Sequence, residues 1–243
     1  MMNANPIRQH ATPDPIRVLL DFAILISQRS VPERKENDMP RPSHMILPLL
    51  MLLWTLPVET QQALTNTLSP GESKAGWTLL FDGRTLSGLS PTGNADWRVE
   101  EGTITAAKGS GFLVTPRPYG NFELKADFWA DKAVNSGIFI RCAEGTPGAM
   151  ACYEINIFDT HAEWPTGSIN NVKSVLPDKP NTTEKWNTLE ITADGTHLIV
   201  KVNGKTTVDA RDERRANGTI ALQEGGANAS GVIRFRNVKI RPL

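Results

Sequence analysis

"WNTLEITADGTHLIVKVNGKTTVDA", residues 186 to 210, is three short runs of alternating side chains separated by Asp194-Gly195 and Asn203-Gly204. A period of two puts every second side chain on one face of an extended chain. Asn-Gly and Asp-Gly supply the positive φ that two-residue hairpin loops require. The stretch therefore reads as consecutive antiparallel strands. The same texture continues on both sides of it. "WTLLFDG", "WRVEEGTITAA", "FLVTPRPYGNFELKADFWA", "SGIFIRC", "YEINIFD", "GTIALQ" and "VIRFRNVKI" are set apart by Gly, Asn, Asp and Pro. They contribute strands of about 5–9 residues. Nothing after Gly76 sustains a helical apolar period. Many short strands with regular turns predict an all-β fold, a β-sandwich or jelly roll, as one domain over residues 76–243.

The 243 residues include 26 Lys+Arg and 26 Asp+Glu, a formal net charge of zero. Without a basic excess, nucleic acid and anionic membrane surfaces are poor partners. Residues 39–63, "MPRPSHMILPLLMLLWTLPVETQQA", place one arginine before an apolar run from Met45 to Val58, followed by a polar stretch. That is the order of a secretory signal. The run is shorter than the roughly 20 apolar residues of a membrane-spanning helix. Residues 1–63 are read as an N-terminal extension and signal peptide, with translation beginning at Met39 and cleavage between Thr60 and Ala63. Residues 64–75 read as a polar linker. The protein is expected to be exported, periplasmic or secreted, with no membrane span in its mature part.

Two strands carry the candidate chemistry. In "NSGIFIRC" (135–142), Asn135, Gly137, Phe139 and Arg141 alternate with Ile138 and Ile140. In "YEINIFD" (153–159), Glu154, Asn156 and Phe158 alternate with Ile155 and Ile157. If the strands are neighbours, the isoleucines pack the core and the polar set gathers on the opposite face. Amides, charges and phenyl rings together suit a sugar, which has apolar ring faces and hydroxyl edges. The plainer alternative is a solvated sheet face with an Arg141–Glu154 cross-strand ion pair. Asp159 and His161 follow at the strand end, where sites collect. Such a pair serves either as an acid–base couple or as ligands of a divalent metal; no other cofactor is called for. Trp164, in "HAEWPTG", is the candidate sugar-stacking ring. The chain has no G-x-S-x-G, H-E-x-x-H, P-loop or G-x-G-x-x-G motif.

Cys142 and Cys152 are the two cysteines. In an exported protein such a pair suggests a disulfide closing the loop between two strands. Strand parity opposes it, because Cys142 falls in with Ile138 and Ile140 while Cys152 falls in with Glu154 and Asn156. Both readings stand at this point.

The segments "GWTLLFDGRTLSGLS", "WRVEEGTI", "NFELKADFWADKAVNSGIFIR", "YEINIFD", "PTGSI", "KWNTLEI", "VNGK", "GTIALQ" and "VIRFRNVKI" follow the order and spacing of the 3-keto-disaccharide hydrolase domain family. The resemblance covers residues 76–243. It implies a concanavalin A-like lectin/glucanase sandwich that cleaves glycosides oxidised to a ketone at carbon 3, with a sugar-oxidising oxidoreductase as companion. Where glucanases of that fold have E-x-D-x-x-E, this chain has Glu154, Asn156 and Asp159. Retaining glucanases use two carboxylates. A 3-keto sugar instead needs one base for the acidified hydrogen on carbon 2 and a group to polarise the ketone. The resemblance thus points to Glu154 as base, Arg141 as oxyanion stabiliser, Asp159 as the remaining acid and Asn156 as a positioning amide. Asn135, Phe139, His161, Trp164 and Gln223 would surround a small carbohydrate. The family's Leu-Gln-Asp-His-Gly run reads "LQEGG" at 222–226, with Gly225 where histidine is expected. A non-catalytic carbohydrate-binding module is the alternative.

Overall fold

The computed structural model describes residues 65–145, 147–148, 150–225 and 231–243, all within a unit running from Glu59 to Leu243. The signal-like segment and its cleavage point lie outside the described residues. A short helix, α1 (Pro70–Lys74), comes first. The strands are β1 (Thr78–Leu79), β2 (Ser90–Gly93), β3 (Arg98–Glu100), β4 (Thr103–Ala106), β5 (Gly111–Val114), β6 (Phe122–Ala130), β7 (Ser136–Cys142), β8 (Tyr153–Ile157), β9 (Trp186–Asp194), β10 (His197–Val202), β11 (Lys205–Arg211), β12 (Thr219–Glu224) and β13 (Ile233–Pro242).

They form two antiparallel sheets. The eight-stranded sheet runs β11-β10-β9-β6-β13-β4-β3, with β1 also on β13; the five-stranded sheet runs β2-β5-β12-β7-β8. The all-β expectation holds. The opening meander forms as read, with one register detail. Val202 pairs with Lys205, so Asn203-Gly204 is the two-residue loop, with φ of 52° and 78°. Asp194 itself pairs with His197, so the other loop is Gly195-Thr196 rather than Asp194-Gly195. Gly195 takes the positive φ there, the conformation glycine adopts without steric cost.

The sheets differ in how they meet solvent. Along β6 and β9, buried and half-buried residues alternate, so one face packs and the other is wet. Phe122, Leu124 and Phe128 of β6 meet Ile138, Ile140 and Ile155 of the facing sheet in the main core. Burying each such side chain contributes about 1.5–3 kcal/mol. Every residue of β7 and β8, by contrast, is buried. At β7 and β8 the five-stranded sheet is covered on its outer face as well, whereas β2, β5 and β12 keep half-buried or exposed residues there.

The stretch read as a linker is bound to the sandwich at Asn66 and Glu72. Asn66 and Asn237 exchange amide hydrogen bonds of 2.6 and 2.8 Å, and Asn66 Nδ2 donates to Gly102 O at 2.8 Å. Ser69 and Glu72 form a capping box on α1, and Glu72 then pairs with Lys239 of β13. A box of this kind satisfies two orphan helix donors at once.

Candidate active site

The outer face of the five-stranded sheet is built from matching positions on four strands. Ala221 of β12 lies opposite Val114 of β5 and Phe139 of β7, and Phe139 lies opposite Glu154 of β8. One step along, Gln223 lies opposite Phe112 and Gly137, and Gly137 opposite Asn156. Phe139 and Phe112 meet edge to face at 5.1 Å between ring centres, a favoured aromatic geometry. The sequence placed Glu154, Asn156, Phe139 and Gln223 around one site, and the strand pairing brings them onto one surface.

Residues 167–170 complete that surface by lying along the free edge of β8. Asn156 N donates to Ser168 O at 3.0 Å, Gly167 N to Asn156 O at 2.9 Å and Asn170 N to Glu154 O at 2.9 Å. The edge is thereby paired rather than left as an open template. Glu154 is 8% exposed. Burial pushes its carboxyl above the ordinary carboxylate range, and a hydrogen bond from the Asn170 side chain pulls part of the way back. Asn156 donates through Nδ2 to Trp164 O. The amide oxygens of Asn156, Asn170 and Gln223 are buried without a donor. A buried polar atom left unpaired costs about 1–3 kcal/mol. Three such atoms around Glu154 call for donors from ordered water or from a bound molecule.

Arg141 is the main correction to the sequence reading. It is fully buried with a φ of 50°. Phe139 pairs with Ala221 and Cys142 with Thr219, so two residues of β7 oppose one of β12. This is a β-bulge, and it turns Arg141 off the Glu154 face. The guanidinium instead donates to Gly120 O at 3.0 Å, Gly195 O at 2.7 Å, Arg215 O at 3.0 Å and Asn121 Oδ1 at 3.2 Å. It ties together loops at the end of the sandwich, and burial lowers its pKa. It has no place as an oxyanion stabiliser beside Glu154, and the Arg141–Glu154 ion pair does not form.

The same bulge decides the cysteines. Past Arg141 the alternation has slipped by one, so Cys142 joins Phe139 and Ala221 in the small outer cluster that also holds Cys152. Cys142 and Cys152 are bridged, joining the end of β7 to the residue before β8. The parity objection fails because it assumed an unbroken strand.

Asp159 is a loop anchor. It accepts from Thr182 N at 2.7 Å, Thr182 Oγ1 at 2.6 Å, Thr183 N at 3.2 Å and Thr183 Oγ1 at 3.0 Å. Burial raises its pKa, but the threonine hydrogen bonds outweigh this and hold it below the ordinary range. A carboxylate so fully engaged is neither a proton donor nor a free ligand, which removes it from the expected acid role. His161 stacks edge to face on Phe158 at 5.7 Å. Its Nδ1 accepts from Glu163 N and Trp164 N at 3.2 and 3.0 Å. The two therefore organise the 158–166 loop instead of acting as a pair. Among the described residues no group of three or more His, Cys, Asp or Glu is placed to hold a metal ion. Asn135 stands just before β7, where its carbonyl accepts from Gly225 N at 3.1 Å. Trp164 is half-buried, and its carbonyl is the part that meets Asn156.

Asn170, Phe112 and Gly137 join the site without having been singled out for it. Asn170 sits in "GSINNV", which has no strand periodicity; only the pairing of that segment with β8 brings it to Glu154. Gly225 has a φ of 78°, and a Cβ there would stand 2.5 Å from Gly109 O. The backbone has no room for the side chain expected at this position. A cleft opens on the outer face of the other sheet, where Arg236 lies 3.9 Å over Trp186 and Arg234 4.9 Å over Trp129. That cleft lacks the buried, unpaired amide oxygens of the Glu154 face.

Among solved structures, the chain is similar to two candidate glycosyl hydrolases from Parabacteroides distasonis ATCC 8503. The first is 21% identical, with a TM-score of 0.67 over 74% of this chain and 100% of that one. The second is 25% identical, with a TM-score of 0.59 over 69% of this chain and 99% of that one. A sialidase matches at 10% identity and a TM-score of 0.51, over 69% of this chain but 18% of its own. No curated protein sequence matches. The model of the 3-keto-alpha-glucoside-1,2-lyase-like domain matches residues 76–241, and the chain belongs to that family.

Proposed function

We propose that this domain cleaves glycosides whose sugar carries a ketone at carbon 3, with Glu154 as the base. The observation that carries the reading is Glu154 itself: a carboxylate buried on the sheet face, raised in pKa, held by an amide and, among the described residues, paired with no cation. A base whose pKa approaches the working pH is the more effective one. Family membership supports a sugar-active role. The ketone acidifies the hydrogen on carbon 2. Glu154 takes that proton, the C–H electrons form the C1–C2 double bond, and the C1–O bond breaks, the aglycone oxygen leaving with the proton that Glu154 passes on. Water then adds across the double bond and gives the free keto sugar. Asn156, fixed by Trp164, would orient the ring.

A second reading, sugar binding without turnover, draws on Gly225, whose surroundings exclude the histidine of related chains. Export is part of the proposal: the signal-like segment and the Cys142–Cys152 bridge both suit an oxidising compartment. An oxidoreductase acting on carbon 3 would supply the substrate. The test is release of reducing sugar from matched 3-keto and parent disaccharides. Glu154→Gln should lower keto-sugar turnover by about 100-fold or more while ground-state binding persists. Equal rates on keto and parent sugars, or an unimpaired Glu154→Gln, would refute the elimination route.

A further inference from the structure

The outer face of the eight-stranded sheet has the opposite imbalance to the Glu154 face: donors there lack acceptors. Along β13 the outward positions include four cations, Arg234, Arg236, Lys239 and Arg241, alternating with buried apolar residues. Lys239 pairs with Glu72 and Arg241 with Glu123. Arg236 lies 3.5 Å from Asp127, whose oxygens already accept from Thr188 Oγ1 at 2.8 Å and Asn237 Nδ2 at 2.7 Å. The Arg236 Nε is accordingly buried without a hydrogen-bond acceptor. Arg234 goes further. It lies on the Trp129 ring and, among the described residues, meets no carboxylate and no other acceptor.

Both arginines line an open cleft of about 480 Å³, together with Glu100, Glu101, Thr103 and Trp186. That volume falls within the roughly 300–1,000 Å³ of small-molecule sites. Strand pairing sets Arg234 opposite Trp129 and Trp129 opposite Trp186. Stacking on an indole fixes a guanidinium plane and leaves its N–H edge free to grip an oxyanion. Two positions apart on one strand, the arginines start roughly 7 Å from each other, so one oxyanion can bridge them. The acids of the lining differ. Glu100 is held by Arg98, whereas Glu101 stands exposed on the rim and pairs with no cation among the described residues. A free carboxylate at the rim accepts from hydroxyls.

We propose that this cleft is a second, non-catalytic binding site, and that its ligand is an acidic sugar. A carboxylate or phosphate group bridges Arg234 and Arg236, the ring packs against Trp186, and hydroxyls at the other end donate to Glu101. A bare inorganic ion would leave Trp186 and Glu101 unused. A neutral sugar would leave the charge of Arg234 unmatched. The site lies on the other sheet from Glu154 and does not depend on how that face is read.

The test is calorimetric titration of the folded protein, at neutral pH and low salt, with glucuronic acid, glucose 6-phosphate, glucose and inorganic phosphate. At least one acidic sugar should bind about tenfold or more tighter than glucose and than inorganic phosphate, and the better of the two names the oxyanion. Added salt should weaken that binding. Arg234→Gln should lose about tenfold or more of the affinity, with a wild-type melting curve showing that it is folded. Arg234→Lys keeps the charge without the fork and should recover only part of the loss. Glu154→Gln should bind the acidic sugar as the wild type does. Equal affinity for glucose, equal affinity for inorganic phosphate, no measurable binding of either acidic sugar, or full affinity in both Arg234 variants would overturn the proposal. Loss of binding in Glu154→Gln would also overturn it, by placing the ligand on the other sheet.

Discussion

Glu224 offers a perturbation whose size follows from the structure. It alternates with Gln223, so it shares the core-facing side of β12 with Ile220 and Leu222, and it is 2% exposed. Its Oε2 has no donor. Burial, reinforced by the negative charges of Asp96 and Asp131, pushes its carboxyl from 4.5 up to about 7. The unfolded chain ionises this group near 4.5, so between those values the folded state holds an extra proton. Stability is therefore complete below the lower value and is lost as pH rises through the upper one. At about 1.4 kcal/mol per pH unit, the loss is about 3 kcal/mol. For a domain of this size each kcal/mol moves Tm by roughly 2–4 °C, so one group accounts for on the order of 6–12 °C. Glu224→Gln abolishes the ionisation and keeps the shape. Melting curves of both proteins from about pH 4 to pH 8 should show the variant gaining on the wild type as pH rises. A wild-type-minus-variant difference in Tm that does not change with pH would refute the reasoning.

Three further outcomes follow from the site and its supports. Arg141→Ala should destabilise the fold by about 3 kcal/mol or more, because four loop acceptors lose a buried charged donor and its volume is left empty; urea unfolding measures it, and sugar affinity of the folded variant should be unaltered. Removing the Cys142–Cys152 bridge by reduction reopens a loop of sequence separation 10 and should cost about 2–3 kcal/mol, read from denaturation midpoints with and without reductant; unchanged midpoints would show that the bridge carries no stability. Asn170→Ala takes away the hydrogen bond that lowers the Glu154 pKa, so the acid limb of the turnover profile should move to higher pH. A profile that keeps its position would remove Asn170 from contact with the base.

Strand content and the two hairpins around Gly195 and Asn203-Gly204 were legible in the sequence because they depend on neighbours a few residues apart. Alternation also placed Glu154 and Asn156 on one face with Phe139, since side-chain direction along an unbroken strand repeats every two residues. That rule fails at Arg141, where a positive φ and an extra residue opposite β12 shift everything beyond it by one. The single slip turns the expected oxyanion stabiliser into a buried clamp on loop carbonyls, and it brings Cys142 round to Cys152. Nothing local announces it, because the bulge exists only against the partner strand. Asp159 looked free for chemistry until the distant Thr182 and Thr183 closed on its carboxylate. Asn170 looked like loop until its segment paired along β8. Residue type and local spacing could single out Glu154 and its strand. Which side chains keep it company was decided by tertiary structure, because hydrogen bonds between distant segments and strand register are set only when the whole chain has packed.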